Sequence, residues 1–291
     1  MPSLKDVKMK IIGVGKTKQI TKAMNMVASA KLRSSQARIE RFRPYAEKYR
    51  EVIGDLAEKA DISAHPLLEK RADKKNCGIV LITSDRGLCG GFNANIILKA
   101  LQILTEKRNE GKNVAFFCVG RKGRDAVRHL GMEPARSIAD RMGSIDFNLA
   151  IDVAQDVAAR YADGQLDEVY LVYGEFQSMA QQPPRVLTLL PIQPPEADEE
   201  KTGPDSEYIY EPGEAALLDD LLPRYANVQV FRALLETSAS EHAARMQAMD
   251  NATRNCDELI KSLTLLYNKT RQASITNELI DIVGGAEALN G

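Results

Sequence analysis

The chain has 291 residues, room for one large domain or two ordinary ones. Its 39 Lys and Arg against 40 Asp and Glu leave a net charge of -1, which excludes a chain-wide pull toward nucleic acid or an anionic membrane. With Trp absent and aromatics at 5%, long helices are favoured over a β-rich fold; no apolar run reaches the ~20 residues of a membrane span.

Met1-Pro2-Ser3 opens no signal or transit peptide. Ser3 followed by Asp6 starts a helix, a hydroxyl cap with a carboxylate in the first turn. From there to Asp61 the sequence is helical in type, interrupted by Gly13, Gly15, Pro44 and Gly54. Pro44 is expected to kink or divide this helix, because it lacks the N–H that its turn needs. An apolar stripe begins at Ile20, Met24 and Val27, narrows through Ala30, Ser34 and Ala37, and ends in Phe42, Tyr45, Tyr49, Val52 and Leu56. The helix is basic: Lys5 to Arg50 holds 13 Lys and Arg against Asp6, Glu40 and Glu47. Gly13 to Lys18 reads GVGKTK, like the end of a phosphate-binding loop. The full pattern needs Gly where Lys10 stands, and a strand before it. Two helical glycines, each costing about 1 kcal/mol relative to Ala, are the simpler reading.

Between Asp61 and Asn76 the helical pattern breaks, which marks a boundary. Cys77–Thr83 is a short continuous apolar run, the signature of a strand buried on both faces. The loop SDRGLCGGFN (Ser84 to Asn93) follows, then a helix to about Asn109. Asn113–Val119 is a second strand, GRKGRDAVRHLG a turn and helix, Phe147–Ala162 another helix, and Glu168–Tyr173 and Arg185–Leu190 two more strands. Such alternation predicts an α/β layer with a largely parallel sheet. The loop at Ser84 sits where an open α/β sheet places a ligand, yet it lacks G-x-G-x-x-G. A tight turn is the expectation, with Asp85 and Arg86 making structural or partner contacts. Cys77, Cys89, Cys118 and Cys256 are scattered, and His65, His129 and His242 are isolated, so neither a metal nor a cofactor is expected.

From Pro191 to Gly213 the chain is Pro-rich and acidic, a linker or exposed loop, with Tyr208-Ile-Tyr210 as a β-like island. A helical pattern begins near Ala215, and Pro223 is expected to restart it. Leu234 to Leu289 then contains no Pro, and no Gly before Gly284. Met246, Met249, Thr253, Cys256, Ile260, Leu263 and Tyr267 form a heptad stripe along it. A helix of roughly 55 residues is about 80 Å long and needs a partner along most of its length. The first sixty residues are that partner. Long helices at both ends of an inserted α/β domain leave it side by side, as an antiparallel coiled coil. The expected division is therefore 1–61 N-terminal helix, 76–192 central Rossmann-like α/β domain, 193–213 linker and 214–291 C-terminal helix. Rods of this kind transmit position or force.

Four stretches resemble the gamma subunit of rotary ATP synthases: KQITKAMNMVASAKLRSSQ (Lys18 to Gln36), SDRGLCGGFN, SEHAARMQAMDNAT with LLYNKTRQASIT, and Ile275 to Ala288. The resemblance spans essentially the whole chain and implies a non-catalytic rotor shaft without a cofactor. Its partners would be a hexamer of three alpha and three beta catalytic subunits, the epsilon subunit and the membrane c-ring, and nucleic acid would not be among them. Its place would be peripheral, at the cytoplasmic face of the cell inner membrane. The resemblance also implies partner-binding positions. Arg271 and Gln272 would be a polar pair meeting the catalytic subunits, with Met24 packed beside that contact on the other helix. Ile275, Thr276 and Glu278 would lie in the shaft tip, Asp85 and Arg86 in the central loop. Tyr208, Tyr210 and Glu211 would meet epsilon and the ring. The competing reading, on GVGKTK and SDRGLCGG, is a nucleotide-binding α/β protein with helical arms.

Overall fold

The computed structural model describes residues 3–59, 65–69, 71, 74–193 and 214–290. A helix α1 (Leu4–Lys59) leads to β1 (Asn76–Ile82), α2 (Phe92–Asn109), β2 (Asn113–Val119), α3 (Arg121–His129), β3 (Arg136–Ile138), α4 (Phe147–Ala162), β4 (Glu168–Gly174), β5 (Pro184–Leu190) and α5 (Glu214–Asn290). By contact density the chain forms two units, residues 1–28 with 246–291, and residues 29–245. The division crosses both long helices, whereas the sequence places boundaries at their ends.

In the larger unit the strand order is β3-β2-β1-β4-β5. The first four strands run parallel and β5 pairs antiparallel with β4. Each parallel connection carries one helix, as crossover geometry demands. Both faces of the sheet are covered. Cys77, Ile79 and Leu81 of β1 join Phe92, Ile96 and Ala100 of α2 in one core, while Val80 and Ile82 face a second core with Val153 and Val157 of α4. Leu222, Ala226, Val230 and Leu234 of α5 and Ile53 of α1 belong to that second core, so both long helices are part of the body's interior. A two-sided core explains why these strands read as unbroken apolar runs.

Neither proline divides its helix. Pro44 lies inside α1 and Pro223 inside α5, and both helices continue through them. The carbonyls deprived of an N–H partner belong to Glu40 and Asp219, one turn earlier, and both residues are exposed to water. A proline costs about 3 kcal/mol within a helix. Burial of Leu218, Leu222 and Ala226 around Pro223 offsets that cost. Gly13 and Gly15 likewise leave α1 unbroken.

Asp167 fastens the edge of the body. Its carboxylate accepts the backbone N–H groups of Lys75 (2.9 Å) and Asn76 (2.8 Å) and pairs with Arg71 at 3.1 Å. Burial acts to raise its pKa, but those amides and the guanidinium outweigh it and hold the carboxyl below its ordinary range. A depressed carboxylate stabilises the fold above its unfolded pKa, near 4, and this contribution is lost as pH falls through the lower folded value. Asp167→Ala is expected to cost about 3 kcal/mol at neutral pH and to flatten the acid limb of the stability curve, both read by urea melts at several pH values. A variant with the parent's acid limb would remove Asp167 from that role.

Candidate functional site

Two places concentrate polar geometry or exposed apolar surface: one in the larger unit at the loop after β1, the other along the smaller unit.

The loop Ser84–Asn93 is tied at every side. Ser84 N–H and the Ser84 hydroxyl both reach Asn93 Oδ1 at 3.0 Å. Asp85 accepts three backbone amides: Arg121 (2.9 Å) and Asp140 (2.9 Å) on Oδ1, and Met142 (3.0 Å) on Oδ2. From α5, the Arg245 guanidinium donates to Gly87 O at 3.0 Å and pairs with Glu241 at 2.7 Å. Arg245, Glu241 and Cys89 are all buried. Nearby, the N–H of Gly174 at the end of β4 reaches Thr237 Oγ1 at 3.4 Å, and Ser240 Oγ donates to its carbonyl at 3.2 Å. In this strand order the reversal falls between β1 and β4, where an open α/β sheet offers a ligand crevice. Here α5 fills that place with Thr237, Ser240 and Arg245, and the first three amides of α3 are taken by Asp85 (from Arg121), the Ser84 carbonyl (from Lys122) and the Thr83 hydroxyl (from Gly123). With side chains of α5 in that crevice, the switch point is used by the chain's own helix, which speaks against the nucleotide-binding reading of the loop.

Of the two loop residues singled out from sequence, Asp85 is thus spent on internal amides, while Arg86 is exposed beside Leu88. Leu88 is 64% exposed at φ 62°, a left-handed conformation that a leucine holds only where its surroundings fix it. Arg245 and Glu241 escaped the sequence reading, although they lie within the SEHAARMQ stretch. A Glu and an Arg four residues apart, set among Ala243, Ala244 and Met246, are the signal that could have found them. Burial, with the charges of Arg245 and Lys31, lowers the His242 pKa to about 4 and so keeps it neutral near pH 7. Burial likewise pushes the Cys77 and Cys118 thiols up to about 12, so neither supplies a reactive thiolate. Among the described residues no three His, Cys, Asp or Glu gather as a metal site.

In the smaller unit α1 and α5 are antiparallel: Lys18 pairs with Asp257 at 2.5 Å, Thr21 Oγ1 meets Thr253 Oγ1 at 2.8 Å, and Asn25 Nδ2 donates to Met246 O at 2.8 Å. On α5 every position of the expected stripe, Met246, Met249, Thr253, Cys256, Ile260, Leu263 and Tyr267, is shielded. On α1 the stripe read from sequence is displaced at two of its three first positions, Met24 being half-buried as expected. Ile20 (60% exposed) and Val27 (57%) point to solvent, and the shielded row is Val7, Ile11, Val14, Lys18, Thr21, Asn25 and Ala28. The physical reason is that this seam is polar at its centre, so hydropathy alone selects the adjacent face.

The register also corrects Met24. Since Asn25 bonds Met246 and Thr21 bonds Thr253, Met24 lies at a height between those two α5 residues. Arg271 and Gln272 are at least 18 residues farther along α5, about 27 Å at 1.5 Å per residue, so Met24 does not pack beside them. Following the same register, Leu4 is level with Thr270, and α5 continues without α1 beyond it. Arg271, Gln272, Ile275, Thr276 and Glu278 are all exposed on that stretch, followed by Leu279, Ile280, Ile282 and Val283. Exposed apolar surface of this extent marks an interaction face. Tyr208, Tyr210 and Glu211 lie outside the described residues.

The family model described as ATP synthase matches residues 3–289. The ATP synthase gamma chain of Nitratidesulfovibrio vulgaris strain Hildenborough is 65% identical over 291 residues, covering 100% of both chains. The chain belongs to the ATP synthase gamma-chain family. The gamma chain of Lawsonia intracellularis is 57% identical over 289 residues, covering 99% of this chain and 100% of that one. Among solved structures, a chain of the Tetrahymena thermophila mitochondrial ATP synthase central stalk and c-ring is 26% identical, with a TM-score of 0.60 over 80% of this chain and 99% of that one. A chain of the Euglena gracilis mitochondrial ATP synthase rotor shares the fold at 23% identity, with a TM-score of 0.65 over 94% of this chain and 98% of that chain. A gamma chain is a central-stalk subunit and is not the catalytic subunit of ATP synthase. Among the described residues of this one, no helix is long and apolar enough to cross a membrane.

Proposed function

We propose that this gamma chain is the rotor shaft that carries rotation of a membrane ring to an alpha3beta3 catalytic hexamer. The observation that supports it most is the end of α5, where Ile275, Leu279, Ile280, Ile282 and Val283 are exposed on a helix that has outrun its partner. Such a tip suits an apolar bearing, because dispersion contacts lack the directional bonds that hold one angle. Arg271 and Gln272, one turn earlier, are the polar collar: a guanidinium and an amide make directional bonds to acidic loops and favour particular angles. Thr276 and Glu278 belong to the same contact zone. A shaft that differs on its three sides then stabilises a different conformation of each catalytic site.

In the loop after β1, Arg86 takes the contact to the hexamer, with Leu88 beside it. Met24 contacts the hexamer as well, at its own height on α1. The acidic segment 193–213, with Tyr208, Tyr210 and Glu211, is the docking side for an epsilon subunit and the c-ring. Segments 1–61 and 214–291 act as the shaft, and 76–192 as the body. The assembled protein is peripheral, at the cytoplasmic face of the inner membrane.

Co-purification tests this directly. A tagged chain expressed in its own cells is expected to bring down catalytic ATPase subunits in a fixed stoichiometry, and the purified chain alone to hydrolyse no ATP. Recovery of the tagged chain without those subunits would overturn the proposal, and saturable micromolar nucleotide binding to it would restore the enzyme reading.

A further inference from the structure

Asp85 is the one acidic side chain of the Ser84–Asn93 loop, and both its oxygens are taken up by amides of the chain itself. Its two oxygens collect amides from two other segments: Arg121, the first residue of α3, and Asp140 with Met142, in the connection between β3 and α4. Asp140 itself has φ 63°, so the carboxylate also holds a left-handed backbone in place. Two carboxylate oxygens offer about four acceptor sites, and three are used by backbone N–H groups. A charged acceptor makes such bonds about twice as strong as a neutral one.

We infer that Asp85 is the positioning residue of this loop, an internal anion that fixes the direction in which Arg86 and Leu88 are presented. The inference rests on the reading of the loop as a contact with the hexamer. Asp85 stands at one end of the exposed segment, and Gly87 is held from the far side by Arg245. Asp85 and Gly87 thus fix Arg86 from either side, and Leu88, between the held Gly87 and the buried Cys89, is kept outward in a conformation that it does not favour when free. Without the carboxylate, three converging N–H groups lack an acceptor, the β3–α4 connection loses its bonds to the loop, α3 keeps only the bonds of Lys122 N–H to Ser84 O and Gly123 N–H to Thr83 Oγ1, and the loop samples other directions. Because the missing part is an acceptor of negative charge rather than a shape, a small anion can replace it.

The test uses the assembled ATPase with a photo-reactive phenylalanine analogue at position 88. Cross-linking yield to the catalytic subunits and hydrogen exchange at the Arg121, Asp140 and Met142 amides are measured together. Asp85→Ala is expected to raise exchange at those three amides and to lower the yield, each about ten-fold, and millimolar formate to restore both. Asp85→Asn keeps one acceptor oxygen and should lose protection mainly at Met142, which supplies a reading where Asp85→Ala does not assemble. The control, Asp146→Ala, removes a cap that accepts one backbone N–H, that of Leu149, besides the Arg141 guanidinium, and formate should leave its loop unchanged. Unchanged cross-linking in Asp85→Ala despite lost amide protection would overturn the positioning role, as would indifference to formate. Absence of cross-linking in the parent complex would instead overturn the contact reading of the loop.

Discussion

Gly120→Ala is expected to destabilise the body by about 4 kcal/mol, adding a strained backbone to a steric overlap. Gly120, between β2 and α3, has φ 99°, and a Cβ there would stand 2.1 Å from the carbonyl oxygen of Thr83 and 2.8 Å from its hydroxyl. The contact is backbone to backbone, so no side chain can rotate away. Gly120 N–H donates to Ile138 O at 2.8 Å, and Gly123 N–H to Thr83 Oγ1 at 2.8 Å, so a shift of the strand end breaks further bonds. Against the 5–15 kcal/mol of a typical domain this is a large share, and at 2–4 °C per kcal/mol the melting temperature should fall by roughly 10 °C. Gly13→Ala makes the contrast: its Cβ would meet nothing within 4 Å, and α1 should gain about 1 kcal/mol. If the two variants melted alike in calorimetry of the whole chain, the close approach at Thr83 would be wrong.

Arg271→Ala is expected to weaken the hold of the hexamer on the shaft by about 2 kcal/mol, roughly 30-fold in affinity. Both Arg271 and Lys261 are exposed cations on α5, which makes Lys261→Ala the matched comparison. Lys261 is given no part in the proposed contact, and its loss should matter by less than about 0.5 kcal/mol. The measurement is ATP-driven proton pumping by reconstituted complex, alongside the amount of catalytic subunit retained by the tagged chain. Gln272→Ala should fall between the two, because an amide loses neutral bonds where Arg271 loses charged ones. Equal effects of Arg271→Ala and Lys261→Ala would remove the polar collar from the mechanism and leave the apolar tip to carry it alone.

Much of the fold was legible because the relevant signals are local. The runs at Cys77, Asn113, Glu168 and Arg185 became β1, β2, β4 and β5, and the helix at Phe147–Ala162 has the bounds read from its pattern. The strand Arg136–Ile138 was missed, since three residues, two of them polar, make no apolar run. That neither proline divides its helix was not legible, for a related reason. A propensity counts the lost hydrogen bond but not the water that meets Glu40 and Asp219, nor the core that surrounds Leu222.

The amino-acid sequence by itself determined the helices, the four longer strands, the heptad of α5 and the family, because these rest on periodicity and on motifs within single segments. Only the tertiary structure decided which face of α1 turns inward. Lys18, Thr21 and Asn25 can occupy a seam because Asp257, Thr253 and the Met246 carbonyl stand opposite, more than 200 residues away in the chain. It alone separated Met24 from Arg271, through an antiparallel register that those pairs define. It turned Asp85 inward for the same reason: a carboxylate's role depends on which amides reach it, and the three that do come from segments brought together only by the sheet.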